Sequence, residues 1–181
     1  MSLDWEILHL IRDGLHSPLL DLLMPKITML GNGGALWLLA AGGLLCTRRY
    51  RKQGVVLLAG LAAGVLVGNV VLKNVIARPR PCWLEPGTPL LIAVPTDFSF
   101  PSGHTLSSFI GATILTGTDR RFGWVAVPLA GLIAFSRLYL YVHFPSDVLG
   151  GAVLGVLIGI LALACGKKAE KKWTAIHRMN A

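Results

Sequence analysis

Two long stretches without an acid or a base constrain this chain more than anything else in it: residues 53–72 and 148–165. Each approaches the roughly 20 residues an α-helix needs to cross about 30 Å of hydrocarbon, where every backbone polar group must be bonded within the segment itself. The composition of the whole agrees: 54% of the 181 residues are hydrophobic and only 14% are charged. The mean hydropathy is +0.64. These values point away from a soluble domain and toward an all-α, polytopic membrane protein. The opening residues, with Asp4 and Glu6 where a signal peptide carries its basic region, predict no cleaved leader.

The net charge of +8 would suggest nucleic acid in a soluble protein. Here position says more than sum. Eleven of the seventeen basic residues fall in three clusters: Arg48, Arg49, Arg51 and Lys52; Arg120 and Arg121; and Lys167, Lys168, Lys171, Lys172 and Arg178. Each cluster borders an apolar stretch, as the positive-inside rule expects of cytoplasmic loops, so no nucleic-acid partner is predicted. Cys46 and Cys165 then lie at inner helix ends and Cys82 in an outer loop, and all three read as structural.

Along the chain, residues 3–14 read as an amphipathic helix ended by Gly14 and lying at the inner interface. Residues 18–30 read as a tilted first crossing, or else a re-entrant or interfacial helix, because Asp21, Pro25 and Lys26 interrupt them. Crossings follow over 35–46 and from 54 to about 76, with a Pro-rich outer loop over 77–99. Residues 105–118 are apolar but short, 122–142 cross outward, and 145–165 return to a basic cytoplasmic tail over 166–181. The expectation is a six-helix bundle forming one membrane-embedded domain, with its helical core over 18–165.

With the basic clusters inside, Lys73, Arg78, Arg80 and Arg137 fall on the outer side, where a topology signal does not want them. Lys73 and Arg137 also interrupt apolar segments, and ionisable groups at such depth are functional candidates. Lipid-anchoring by snorkelling side chains is the alternative for any one of them. His104 and His143 fall at the same mouth, which turns isolated residues into a constellation. In 101–105, Pro, Ser, Gly, His and Thr at a helix start aim backbone N–H groups and an imidazole at an anion. Pro145 suits the first turn of the last helix, which puts His143 just ahead of it and Asp147 within it, able to fix the imidazole tautomer. No Ser or Cys is placed to be activated instead, so His143 is itself the candidate nucleophile.

These residues carry a resemblance. Lys73 with Arg80 and Pro81 seven and eight residues on, then Pro101-Ser102-Gly103-His104, then Ser136-Arg137 with His143 and Asp147, resembles the three-part signature of the type 2 phosphatidic acid phosphatase (PAP2) superfamily, which also contains the vanadate haloperoxidases. The resemblance implies that Lys73, Arg80 and Arg137 clamp phosphoryl oxygens, with Ser102 and the Gly103 N–H completing the cradle. It implies that His143 attacks phosphorus, Asp147 orients it, and His104 protonates the leaving oxygen and then activates water. Ser136 would support Asp147 or the loop, Pro81 and Pro101 would be supporting residues, and Arg78 would stand behind the residues that touch the phosphate.

No cofactor and no metal are expected, since Glu85 and Asp97 are the other outer carboxylates near the site and do not suffice for a two-metal phosphatase. The function expected is hydrolysis of a lipid-borne phosphate at the outer face of the cell membrane, foremost undecaprenyl pyrophosphate, with phosphatidylglycerol phosphate or phosphatidic acid as alternatives. Membrane lipids are the expected surroundings, and no obligate protein partner is evident. A haloperoxidase and a lipid-phosphate transporter or binding scaffold are the rivals; peroxide dependence would mark the first, and binding without phosphate release the second.

Overall fold

The computed structural model describes residues 3–179, and among these it contains helices and connecting turns with no strand. The elements are α1 (Leu3–Leu15), α2 (Pro18–Met29), α3 (Ala35–Cys46), α4 (Arg51–Gly64), α5 (Lys73–Ile76), α6 (Pro81–Leu84), α7 (Gly103–Thr118), α8 (Arg120–Tyr139) and α9 (Pro145–Met179). A π-helical segment, Val65–Leu72, joins α4 to α5 without a break.

Three stretches are long and apolar enough to cross a membrane: Arg51–Leu84, Arg120–Tyr139 and Pro145–Lys172. The pair Pro18–Met29 and Asn32–Cys46 passes the same test jointly, bent by 48°. Many of their large apolar side chains, among them Leu39, Val55, Leu66, Trp124 and Leu161, point outward with nothing covering them. Such a belt is costly in water and ordinary in lipid.

At the centre stands α7, whose sixteen residues span only about 24 Å at 1.5 Å each. It packs most extensively against α9 and α8, and also against α4. Glycines make this closeness possible. On α9 a Cβ added at Gly151 would lie 2.8 Å from the Ser102 carbonyl oxygen, and one at Gly155 would lie 2.7 Å from that of Leu106. Across α7, a Cβ at Gly64 would meet Ile110 at 2.4 Å and one at Gly68 would meet Leu106 at 2.3 Å. Helices in lipid gain little from apolar burial, so small residues that let backbones approach are a main source of packing energy.

The bundle has two distinguishable ends. At one, Tyr50 reaches Asp119 at 3.4 Å and Lys52 reaches Glu170 at 2.6 Å, which gathers the basic residues of 48–52, 120–121 and 167–172. At the other lie Lys73, Arg80, Arg137 and His143.

Two expectations need correction against this frame. Residues 18–30 and 35–46 are not separate crossings: α2 begins beside Tyr139 and α3 leads to the Tyr50 end, so together they make one bent passage. Gly33 and Gly34 allow the break, with φ of 57° and 71° that a side-chain-bearing residue rarely adopts. The described helices thus make five passages between the ends: α2 with α3, α4 through α5, α7, α8 and α9. Secondly, α1 is not at the end of the basic clusters. Leu8 packs on Tyr141 and Phe144, and Arg12 reaches Glu85 and Tyr141, which places α1 at the opposite end. The tail expected over 166–181 continues α9 as helix to Met179, and residues 180 and 181 lie outside the described residues.

Candidate active site

Lys73, Arg80 and Arg137 are all buried, at 6%, 2% and 4% exposure, and they converge on one cavity of about 780 Å³. Local backbone geometry brings them there. The π-helical segment ahead of Lys73 is a rare device that re-aims the residues following it, and such segments recur at functional sites. Ala77, at φ 47°, then stops α5 in the left-handed region. Arg80 is extended, as a residue before proline prefers, and Pro81 opens α6 at a position where its missing N–H costs nothing.

Arg80 is held on all sides. Its Nη1 donates to the Val142 carbonyl at 2.7 Å, its Nε to the Asp97 carbonyl at 2.6 Å and its Nη2 to Asp97 Oδ1 at 2.7 Å. The other carboxylate oxygen of Asp97 accepts from Lys73 Nζ. Burial alone would raise the Asp97 carboxyl, but the hydrogen bond from Lys73, the charges of Arg80 and Lys73 and the hydrogen bond from Arg80 outweigh it, leaving a pKa of about 2. Arg137 differs: Nη1 donates to Thr28 Oγ1 at 2.6 Å, but its buried Nε has no partner. A guanidinium N–H buried without an acceptor is expensive, and it marks where an oxyanion would be welcome.

His143, 1% exposed, sits in the turn between α8 and α9. Tyr141, two residues earlier, has φ 60°, a strained value that folds this turn over the cavity. Arg80 Nη1 lies 3.0 Å from His143 Nε2. Since a guanidinium can only donate, Nε2 is the lone-pair nitrogen and Nδ1 carries the proton. Burial, together with the charges of Arg80, Arg137, Lys73 and His104, pushes the imidazole well below its usual pKa of 6.5 and keeps it neutral.

Behind His143 the carboxylate of Asp147 is fully enclosed. Its Oδ2 is 3.7 Å from His143 Nδ1, beyond hydrogen-bond reach. Ser99 fills the gap: its hydroxyl donates to Asp147 Oδ2 at 2.5 Å and lies 3.4 Å from His143 Nδ1. The Phe144 N–H donates to the same oxygen at 2.8 Å, and Arg78 Nη1 donates to Oδ1 at 2.6 Å.

Opposite, His104 occupies the first turn of α7, its Nε2 2.8 Å from Asn32 Oδ1. Asn32 belongs to the turn that breaks α2 from α3, and Gly31 is there because a Cβ would lie 2.7 Å from the His104 ring. Gly103 opens α7, where a Cβ would lie 3.0 Å from Asn69 Oδ1 of the π-helical segment. Ser102 is fully buried behind it, its hydroxyl accepting from Thr105 at 3.0 Å and its N–H donating to the Asp147 carbonyl at 3.1 Å. The peptide bond from Phe100 to Pro101 is cis.

Of the residues expected from sequence, Lys73, Arg80, Gly103, His104, Arg137 and His143 line the cavity. Ser102 and Asp147 stand directly behind. The Ser136 hydroxyl donates to the Ile133 carbonyl of its own helix at 2.6 Å rather than to Asp147, while its carbonyl accepts the Leu140 N–H at 3.0 Å where the chain leaves α8. The residues that sequence reasoning missed are Ser99, Asn32, Thr28 and Asp97 as direct partners of the site. Asn32 had one signal, a polar residue among glycines; Ser99 and Thr28 had none. Among the described residues, no group of three or more His, Cys, Asp or Glu converges as a metal site would need.

The PAP2 superfamily model matches residues 53–171. The chain belongs to the PAP2 superfamily. Over 129 residues it is 36% identical to an undecaprenyl-diphosphatase of Sulfolobus acidocaldarius, covering 71% of this chain and 62% of that one. Over 148 residues it is 33% identical to undecaprenyl-diphosphatase BcrC of Bacillus subtilis, covering 81% and 75%. Among solved structures it superposes on Aquifex aeolicus LpxE with a TM-score of 0.79 at 32% identity, covering 91% of this chain and 96% of that one. By family, then, this PAP2 chain is a membrane hydrolase of the phosphatase type.

Proposed function

We propose that the chain hydrolyses the terminal phosphate of a polyprenyl diphosphate, undecaprenyl pyrophosphate foremost, through a phosphohistidine at the outer face of the cell membrane. The observation that carries this reading is the unpartnered Arg137 Nε, beside Lys73 and Arg80, at the polar end of a cavity that continues between Leu38, Leu58, Leu61, Val65 and Ile110. A phosphate needs the first part, and a long hydrocarbon chain needs the second. The names of the Sulfolobus acidocaldarius and Bacillus subtilis relatives point the same way. The three basic clusters at the opposite end favour an outward-facing site.

In this reading Lys73, Arg80 and Arg137, with the Gly103 N–H, hold the nonbridging oxygens and neutralise charge in the transition state. Ser102 holds the loop that presents that N–H. His143 Nε2 attacks phosphorus; the P–O bond to the leaving group breaks, and His104 supplies the proton its oxygen needs. Water then attacks phosphorus as His104 takes its proton, the P–N bond breaks with its electron pair returning to His143 Nε2, and inorganic phosphate leaves. Asp147, through Ser99, keeps Nδ1 protonated so that Nε2 is the nucleophile. Asn32 holds the His104 ring against the leaving group's path.

The test is phosphate release from undecaprenyl pyrophosphate, phosphatidylglycerol phosphate and phosphatidic acid in one detergent, with EDTA present. Undecaprenyl pyrophosphate should have the highest kcat/KM, EDTA should not inhibit, and His143→Ala should abolish both turnover and acid-labile phosphoenzyme. Substantial turnover by His143→Ala would overturn the nucleophile assignment, and preference for either glycerophospholipid would overturn the substrate.

A further inference from the structure

The enclosed Asp147 carboxylate has a neighbour on each side, and the far side leads out of the catalytic core altogether. Arg78, which donates to Asp147 Oδ1 through Nη1, donates through Nη2 to Asp4 Oδ2 at 2.7 Å. Asp4 lies in the first turn of α1. Its Oδ1 accepts the Ser146 N–H at 2.9 Å, and its Oδ2 accepts the Ser146 hydroxyl at 2.5 Å. That hydroxyl in turn accepts from Arg78 Nη1 at 2.7 Å. Ser146 is the second residue of α9, so a carboxylate from α1 caps the positive end of the helix that carries Asp147. The Arg78 guanidinium also lies 4.1 Å over the Phe144 ring, whose N–H bonds Asp147.

We propose that α1 is a working part of the active site: Asp4 is a positioning residue that acts through Arg78 to hold Asp147, and thereby the His143 turn, in register with the phosphoryl cradle. This rests on the assignment of His143 as nucleophile. The physical need is plain from the charges. The neutral His143 gives the fully enclosed Asp147 carboxylate no countercharge, and a buried charge without a partner is costly. Arg78 supplies that charge. Arg78 is itself only partly covered, at 27% side-chain exposure, and follows Ala77, where the chain leaves helix. A long side chain so placed has many rotamers, and Asp4 with Ser146 selects the one that reaches Asp147.

Among the described residues, no side-chain hydrogen bond or ion pair joins Lys73, Arg80 or Arg137 to Asp4 or Arg78, which separates this role from substrate binding. Asp4→Asn should therefore lower kcat on the order of tenfold, the worth of one hydrogen bond to a charged group, and leave KM and the dissociation constant of orthovanadate near wild type. Asp4→Glu should restore part of the loss. In an Arg78→Ala background Asp4→Asn should add little, since both act along one chain of contacts. Glu6→Gln, which removes the same charge from an exposed position of α1, serves as control and should match wild type.

An unchanged kcat in Asp4→Asn would overturn the proposal. So would a parallel loss of kcat and vanadate affinity, which would mean a loosened site, and so would full additivity with Arg78→Ala. Vanadate binding is read without turnover, so a failure of the substrate assignment leaves it informative. If wild type and Asp4→Asn both bind vanadate while phosphohistidine is never trapped in wild type, the nucleophile assignment has failed rather than the role of Asp4.

Discussion

At the scale of single residues, the site is a set of charges arranged around one imidazole nitrogen, His143 Nε2, whose lone pair stays unprotonated. Ser99 is the residue that most changes how His143 and Asp147 are understood, because the two do not bond directly and its hydroxyl bridges them. Ser99→Ala removes a hydrogen bond to a buried carboxylate, so kcat should fall about tenfold to a hundredfold with little change in KM. Steady-state kinetics on the preferred substrate would read this split. The pKa of His143 lies below 6.5 in the fold and at the ordinary value when unfolded. The neutral form therefore persists on acidification past pH 6.5, and stability contributed above that pH is lost below it, where the unfolded imidazole takes the proton first. In the ligand-free protein the His143 ring signal, identified by its absence in His143→Ala, should keep its neutral chemical shift at pH 6 by NMR. Asp97 covers the same cations that a phosphate would need, and at a pKa of about 2 it is anionic at any working pH. Asp97→Asn should therefore bind orthovanadate several-fold more tightly by equilibrium titration.

At the scale of elements, function depends on how closely α7 is approached from both sides. The Cβ of Gly155→Ala would lie 2.7 Å from a backbone oxygen of α7, which has no rotamer to escape into. The helices must separate, at a cost of about 1–3 kcal/mol, and thermal unfolding in detergent should show a lower Tm. Gly131 is the contrast: a Cβ there meets nothing within 4 Å, and Gly131→Ala should leave Tm unchanged or raise it. The π-helical segment and the left-handed Ala77 do for Lys73 and Arg80 what the strained Tyr141 does for His143. Each spends local conformational energy to turn a side chain into the cavity.

At the scale of the molecule, the described helices make five passages between two chemically different ends, with α1 folded back against the end that holds the site. In an otherwise cysteine-free chain, Glu6→Cys should react with an impermeant maleimide on intact cells, whereas Arg120→Cys should react only after permeabilisation. Cys82 is a poor reporter despite its place near the outer loop, because it is 6% exposed.

Much of this was legible in the sequence. The two uncharged stretches dictated helices in lipid, since a closed barrel, the other structure that satisfies a backbone there, would be built of strands only about half as long. The basic clusters ordered the ends, and the resemblance to the PAP2 signature named Lys73, Arg80, His104, Arg137, His143 and Asp147 as residues that meet. Those signals are local or statistical and survive without knowledge of packing.

What sequence left open was every relation between elements distant in the chain. It read α1 at the wrong end because an amphipathic helix fits either interface equally well. It left residues 18–30 as either a crossing of their own or a re-entrant or interfacial helix, because a break at Gly33 and Gly34 resembles a loop until the direction of both helices is known. Ser99, Asn32, Thr28 and Asp4 carry no signature, being common polar residues whose importance comes from standing within 3.5 Å of a group tens of residues away. Periodicity and charge determine which segments are helices and which way they face. Only the close approach of α7 to its neighbours, set by glycines that sequence alone does not pair, decides which polar atoms meet.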